Sequence, residues 1–242
     1  MSSSVTLQTL LQHPPTLERV GVWVEALKRN EHEQPWDTGW LSTAQPVTDP
    51  LAEPLGGGGL ELGAEGKMFG VLCGVDEAGE ARWLRAFSGQ LHGAWLRRGW
   101  APPLFEPSAI ARASLETQTR LHLINRMIAE GRGDRDQLKR ARREASRALT
   151  AKLIEAYTLS RRATDRGLER RSLSTLWPSA PLGAGDCCAP KLLCWAARLG
   201  LTPVGLAEVW WGPACGAHLP GQRYAPCAER CAPLLPWLLG DK

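Results

Sequence analysis

Four cysteines in the last third of the sequence have the types and spacing of metal ligands. Cys187 and Cys188 follow a Gly-rich turn, and Cys227 and Cys231 follow a second loop. Thiolates at helix N-termini are stabilised by the positive end of the helix dipole, which lowers their pKa and favours zinc. We predict that Cys187, Cys227 and Cys231 bind one zinc ion, with Cys188 as a substitute ligand. Three protein ligands leave a fourth position open to water.

The alternative interpretation is that these cysteines are small apolar packing residues, a common role for buried free cysteine. We expect that role for Cys73, which lies in an apolar strand, and for Cys194, on an apolar helix face. Cys215 and His218 lie in a loop, and we favour no metal role for them. Seven cysteines without a secretory signal favour the reducing cytoplasm, where clustered cysteines bind metal more often than they form disulfides.

Length and charge set bounds on the function. A chain of 242 residues can bury a sizeable core. Its net charge of +4 is only mildly basic, so total charge does not argue for nucleic acid. No apolar stretch long enough to span a bilayer occurs, and no membrane partner is expected.

Hydrophobic periodicity predicts the elements that must position the cysteines. The runs KMFGVLCGV and ARWLRAFSG flank a polar turn and predict a β-hairpin. Apolar stripes then predict a helix ending near Gly131 and a second helix over residues 134–164. Three further elements are predicted: a helix over 187–199, a strand buried on both faces over 203–211, and a helix over 227–239. The pattern is typical of an α/β (α+β) fold.

Two regions follow from this pattern. Residues 1–59 form an N-terminal helical and Gly/Pro-rich segment, and residues 60–242 form an α/β domain. A basic helical insertion interrupts that domain over about residues 108–172.

The stretch PCAERC, residues 226–231, resembles the P-C-x-x-C motif of zinc-dependent nucleobase deaminases, with one extra residue between the cysteines. The resemblance implies a deaminase-like core of a hairpin followed by helix–strand–helix. Deaminases carry a proton-transferring Glu two residues after the first ligand, where this chain has Ala189 or Pro190. Asp186 and Glu208 are the carboxylates that could take its place.

Six stretches resemble, in this order, the N-terminal region of long RluA-type pseudouridine synthases: GKMFGVL, AFSGQL, APPLFE, GAGDCCAPKLL, LAEVWWG and YAPCAERCAPLL. The resemblance spans roughly residues 66–240. It implies an accessory module in RNA modification, with RNA and a separate RNA-modifying enzyme as partners. The catalytic Arg-Leu-Asp signature of the synthases does not occur in the chain, so their activity is not implied.

The second predicted helix carries the candidates for RNA contact. Lys139, Arg142, Arg143 and Arg147 cluster within about two turns, where they could neutralise phosphates. Trp211, at the end of the buried strand, could stack on a base. The alternatives are a solvated helix and a packed Trp.

Three functions therefore stand as expectations. The leading one is a zinc-binding accessory module that contacts RNA. The first alternative is a zinc-dependent nucleobase or nucleotide deaminase, and the second is a metal-free interaction module.

Overall fold

Helices and strands are interspersed along the chain. The structure, a computed structural model, describes residues 6–28, 66–91, 93–97, 99–163 and 167–240. The helices are α1 (Leu7–Leu11), α2 (Pro14–Lys28), α3 (Pro107–Ala129), α4 (Arg135–Ala156), α5 (Leu173–Leu176), α6 (Cys188–Arg198) and α7 (Leu235–Leu239). The strands are β1 (Lys67–Val75), β2 (Ala81–Phe87), β3 (Thr158–Ala163), β4 (Gly167–Ser172), β5 (Thr202–Trp211) and β6 (Arg223–Tyr224). The predicted mixed α/β class is confirmed.

The central sheet has the strand order β2–β1–β5–β6, and all its pairings are antiparallel. Strands β1 and β2 form the predicted hairpin. Its turn is closed by Asp76, whose Oδ1 accepts the backbone N–H groups of Ala78 and Glu80. Because β5 runs antiparallel to β1, it points in the same direction as β2. The chain leaves β2, later passes through α6, and then enters β5, which lies on the other side of β1 from β2.

Helix α6 packs against one face of this sheet and forms the larger core with it. The helix is apolar on the side that faces the sheet, where Leu192 is fully buried in one core with Leu72 and Leu206. Cys194 of the same helix is buried toward β3, where its Sγ accepts the Ser160 N–H. The approach is closest at Gly70, where a Cβ would lie 2.5 Å from the Cβ of Cys188. The missing side chain of Gly70 thus sets how near the first turn of α6 comes to β1.

The other face of the sheet is covered by α2. Val20 and Val24 of that helix pack with Phe69 of β1 and Val209 of β5 in a second core. The predicted burial of β5 on both faces is confirmed, since its central residues are buried between α6 on one side and α2 on the other. The predicted Gly/Pro-rich segment of residues 30–59 lies outside the described residues.

Helices α3 and α4 pack against each other as a helical hairpin. The Asp134 carboxylate begins α4 by accepting the N–H groups of Asp136 and Gln137. The prediction that this second helix continues to residue 164 is wrong. The chain turns to an extended conformation at Tyr157 and enters the β3–β4 hairpin, because Leu159 is buried in the larger core.

The predicted helix over residues 227–239 is also wrong in its first half. Residues 228–234 form consecutive turns, and the α-helix α7 begins only at Leu235. Pro233 lies inside the predicted helix and lacks the N–H group that a continuous helix would use there, which favours separate turns. Pro236 is tolerated because it lies in the first turn of α7. None of the helices in the described ranges is long and apolar enough to cross a membrane.

Candidate metal centre

Three of the predicted ligands meet at the start of α6. The Sγ atoms of Cys187, Cys227 and Cys231 lie within 4.8 Å of one another. Cys227 Sγ is 3.9 Å from Cys187 Sγ and 3.3 Å from Cys231 Sγ. Cys187 precedes the first residue of α6, whereas the other two belong to the turns before α7. The fold therefore brings residues 227–231 next to the N-terminus of α6.

The separations fit a tetrahedral zinc ion. With zinc–sulfur bonds of about 2.3 Å, two thiolate ligands lie about 3.8 Å apart. The Cys187–Cys227 separation is close to that value, and the Cys227–Cys231 separation needs a movement of only about half an ångström. The third pair, Cys187 and Cys231, lies within 4.8 Å. Within the described ranges, these cysteines are the only group of three or more His, Cys, Asp or Glu side chains close enough to share a metal. The set thus supplies three ligands and leaves a fourth position to another group.

Cys187 is free to act as a ligand because it does not cap the helix that it begins. Its side chain makes no capping hydrogen bond at α6. Glu208 of β5 supplies the cap instead, since its Oε1 accepts the Ala189 N–H at 2.7 Å. The carboxyl group of a neighbouring strand thus satisfies a backbone donor that an N-cap side chain normally satisfies.

The buried Glu208 carboxyl favours its neutral form. Glu208 is 3% exposed. Burial and the nearby Cys187 thiolate raise its pKa to about 8, although the Ala189 hydrogen bond opposes this. A buried carboxylate would need a cationic partner to stay charged, and Lys191 of α6 forms no ion pair with Glu208. The Lys191 Nζ instead donates to the backbone oxygen of Phe87.

Asp186, the other candidate carboxylate, does not cap α6. The N-cap position of α6 is Cys187, while Asp186 Oδ1 accepts the Tyr157 hydroxyl at 2.8 Å. Burial raises the pKa of Asp186 to about 6, against that hydrogen bond and the Lys191 charge. The same aspartate accepts the Gly89 N–H at its backbone oxygen, so it joins the loop after β2 to the loop before α6.

Tyr157 was not foreseen as part of this site. Position 157 falls inside the helix predicted over residues 134–164, where a hydroxyl has no evident partner. No local pattern indicates that Tyr157 is the C-cap residue of α4, immediately before β3. From that position its hydroxyl group reaches Asp186.

Cys187 ionises more readily than an ordinary cysteine. Hydrogen bonding with Cys231, and to a smaller extent with Cys227, lowers its pKa to about 7 against the effect of burial. The pKa of Cys231 is raised, because its thiol donates to Cys187 and is fully buried. One thiolate stabilised by two neighbouring thiols is a suitable starting point for metal binding, since zinc takes thiolates and releases the remaining protons.

The other cysteines lie outside this cluster. Cys188, the predicted substitute ligand, donates its thiol to the backbone oxygens of Met68 and Ala86 and faces the sheet. Burial raises its pKa well above the usual range, which disfavours a thiolate. Cys73 and Cys194 are buried, as expected of core residues.

The Cys215–His218 loop is held by aromatic contacts. The ring of His218 stacks on Trp210 at 4.9 Å and meets Tyr224 edge-on at 4.7 Å. Cys215 is exposed and does not join the cysteine cluster.

Trp211 lies on the opposite face of the sheet from the cysteines. Side chains alternate along a strand, so Trp210 shares the face of Glu208, which α6 covers. Trp211 packs against the second core, under α2. Trp210, rather than Trp211, therefore lies on the face of the sheet that carries α6, as the alternation from Glu208 indicates.

The basic candidates on α4 remain available at the surface. Arg142, Arg143 and Arg147 are exposed and Lys139 is half-buried. Arg142 makes a long contact of 3.5 Å with the Asn125 side chain of α3, and no ion pair with another described residue engages the four side chains. Arg161, which follows α4 in β3, is engaged within the protein, because it pairs with Glu169 and lies over the Trp237 ring.

The Glu208 cap makes a prediction about stability at pH 7 in metal-free protein. Glu208→Gln keeps an acceptor for the Ala189 N–H and mimics the neutral carboxyl, so the free energy of unfolding should change by less than about 0.5 kcal/mol. Glu208→Ala leaves that N–H without an acceptor and should lower the free energy of unfolding by about 1–3 kcal/mol.

Urea denaturation followed by circular dichroism measures both variants, with Glu155→Ala on the exposed face of α4 as the control. Equal losses in the two Glu208 variants would show that a charge, rather than an acceptor, is needed at this position.

Comparisons with known proteins found no relative of this chain. No protein-family model matches it, and neither a curated protein nor a solved structure is significantly similar to it. The resemblance of residues 66–240 to RluA-type pseudouridine synthases remains a prediction.

Proposed function

We propose that this chain is a zinc-binding accessory module that contacts RNA and serves an RNA-modifying enzyme. The observation that carries the zinc assignment is the meeting of Cys187, Cys227 and Cys231 within 4.8 Å at the start of α6. The RNA assignment is supported by the exposed arginines of α4 and by the resemblance to the N-terminal region of RluA-type pseudouridine synthases.

Zinc bound there would tie the turns before α7 to the start of α6. Residues 228–234 have no α-helical or strand structure of their own, and Pro233 disfavours a continuous helix there. Zinc–thiolate bonds across this junction would hold those turns in place, because the binding free energy of a structural zinc site contributes to folding. The remaining coordination position gives such a zinc the capacity to act as a Lewis acid.

RNA contact would be made by the helical hairpin rather than by the sheet. The exposed arginines of α4 lie on one side of α3–α4, and α3 and α4 pack mainly on each other. Phosphate contacts by Lys139, Arg142, Arg143 and Arg147 would make binding electrostatic and independent of sequence. Recognition of a particular RNA would then fall to the partner enzyme.

The zinc assignment predicts about one zinc per chain in protein purified without a metal-affinity tag. The Cys227→Ser/Cys231→Ser variant should lose the metal, because one thiolate cannot hold zinc tightly, and it should unfold at a lower urea concentration. Inductively coupled plasma mass spectrometry measures the metal content.

The matched control is Cys215→Ser, which removes an exposed cysteine outside the cluster and should leave the zinc content unchanged. If wild-type protein contains no zinc and cannot bind it, the zinc assignment is wrong. The metal-free interaction module then becomes the favoured function.

The RNA assignment predicts binding that weakens steeply with salt. Reversal of Arg142, Arg143 and Arg147 to Glu should abolish detectable binding to a short RNA in fluorescence anisotropy, with the circular dichroism spectrum unchanged. Neutralising the same three residues with Gln should reduce the slope of log affinity against log salt by about two to three.

The control variant reverses Arg82, Arg170 and Arg223, which are exposed on strands β2, β4 and β6 and change the net charge equally. If both triple variants lose the same affinity, the effect is one of total charge and the α4 surface is not the RNA site.

A second candidate function, a zinc-dependent nucleobase or nucleotide deaminase, is favoured by Glu208. Its carboxyl group comes within hydrogen-bonding distance of the first turn of α6, beside the cysteines, and a deaminase needs a carboxyl group near its metal to move protons. The order of hairpin, helix and strand around the cysteines is also that expected from the deaminase resemblance. Against it, Glu208 already caps α6, and Asp186 is engaged by Tyr157.

The accessory-module assignment predicts that zinc-loaded protein releases no ammonia from cytidine, adenosine or their nucleotides. A coupled glutamate dehydrogenase assay measures this. Ammonia release that disappears in Glu208→Gln, with zinc content and fold retained, would make the deaminase the correct function.

A further inference from the structure

The three cysteines of the candidate metal centre differ in how far solvent reaches them. Cys227 is exposed, Cys187 is half-buried and Cys231 is buried with 0% of its surface exposed. A reagent that arrives from solvent therefore meets Cys227 first. Among the described residues, Cys215 is the other exposed cysteine, but it lies outside the cluster. Cys227 thus combines exposure with two neighbouring thiols.

The shorter of the two sulfur contacts of Cys227 is the one to Cys231. Their Sγ atoms are 3.3 Å apart, whereas those of Cys187 and Cys227 are 3.9 Å apart. A hydrogen bond from the Cys231 N–H to the Cys227 backbone oxygen closes the turn between them. Residues four apart in a helical turn have Cα atoms about 6 Å apart, which lies within the range that a disulfide spans. The two sulfurs need to approach by about 1.2 Å to form an S–S bond.

We propose that Cys227 is a site of reversible oxidation by hydroperoxides, with Cys231 as the thiol that converts the oxidised Cys227 to a disulfide and thereby releases the zinc. This inference rests on the proposed zinc site, because zinc holds its cysteine ligands as thiolates and the thiolate is the nucleophilic form. The disulfide leaves Cys187 as the one remaining thiolate of the three, which cannot hold zinc tightly.

The proposed reaction has two steps. The Cys227 thiolate attacks one oxygen of hydrogen peroxide and the O–O bond breaks, which gives a sulfenic acid and a hydroxide ion. The Cys231 thiolate then attacks the Cys227 sulfur, so that the S–S bond forms and the S–O bond breaks with loss of a second hydroxide ion. Two protons from solvent convert the hydroxide ions to water. The two sulfurs together lose two electrons, and the peroxide gains them.

The first experiment treats the zinc-loaded full chain with hydrogen peroxide and follows zinc release with a chromophoric chelator too weak to remove zinc from the reduced protein. Nearly all of the zinc should be released. Dithiothreitol should restore zinc binding, because a thiol reduces a disulfide but does not reduce a sulfinic acid. The matched control, Cys215→Ser, lacks the other exposed thiol and should behave as wild type does.

The second experiment identifies the disulfide by mass spectrometry of tryptic peptides, with free thiols alkylated first and no reducing agent added. Cleavage after Lys and Arg places Cys187 in residues 172–191, Cys227 in residues 224–230 and Cys231 in residues 231–242. The proposed disulfide joins the peptide of residues 224–230 to that of residues 231–242.

The outcomes separate this inference from the zinc assignment. Wild-type protein that binds no zinc contradicts the proposed site and this inference together. If the protein binds zinc and peroxide does not release it, the zinc site stands and the inference is overturned. A disulfide to residues 172–191, or a sulfinic acid at Cys227 with no disulfide, also overturns it. Zinc release that dithiothreitol reverses, together with the disulfide between residues 224–230 and 231–242, supports it.

Discussion

The hydrogen bond from the Ala189 N–H to Glu208 Oε1 fixes the start of α6 against β5, and the arrangement of the candidate metal centre depends on it. A helix N-terminus exposes backbone donors that normally require a side chain at the N-cap. Here the cap comes from the neighbouring strand, so the N-cap residue Cys187 keeps its thiol for other partners. The same bond orients the first turn of α6 toward the turns that carry Cys227 and Cys231.

The close packing of α6 on the sheet supports this arrangement. Gly70 removes the side chain that would collide with Cys188, and this lets the thiol of Cys188 reach two carbonyl groups of the sheet. One of two adjacent cysteines is thereby fixed in the core, and the other is directed to the cluster. The two buried ionisable groups around this point, Glu208 and Lys191, do not pair with each other. Each is hydrogen-bonded to a backbone group instead.

Much of this architecture was predictable from local sequence patterns. The hairpin, α6 and β5 have periodic apolar residues with clear turn and stop signals. The grouping of Cys187, Cys227 and Cys231 was also predicted, although the helix start expected at Cys227 and Cys231 is a series of turns. The β3–β4 hairpin was missed because its strands are short and rich in Arg, and because the preceding helical pattern runs into it without a break. The cap by Glu208, the Tyr157–Asp186 bond and the separate directions of Cys187 and Cys188 arise from tertiary packing, which no local pattern contains.

The most direct test of the central claim is X-ray absorption at the zinc edge of protein loaded with one equivalent of zinc. Three sulfur neighbours at about 2.3 Å and one nitrogen or oxygen neighbour at about 2.0 Å are the expected first shell. Loss of two sulfurs in Cys227→Ser/Cys231→Ser would assign the ligands to this cluster. A first shell of four sulfurs, a shell without sulfur, or a spectrum unchanged by the double substitution would contradict a zinc centre built from Cys187, Cys227 and Cys231.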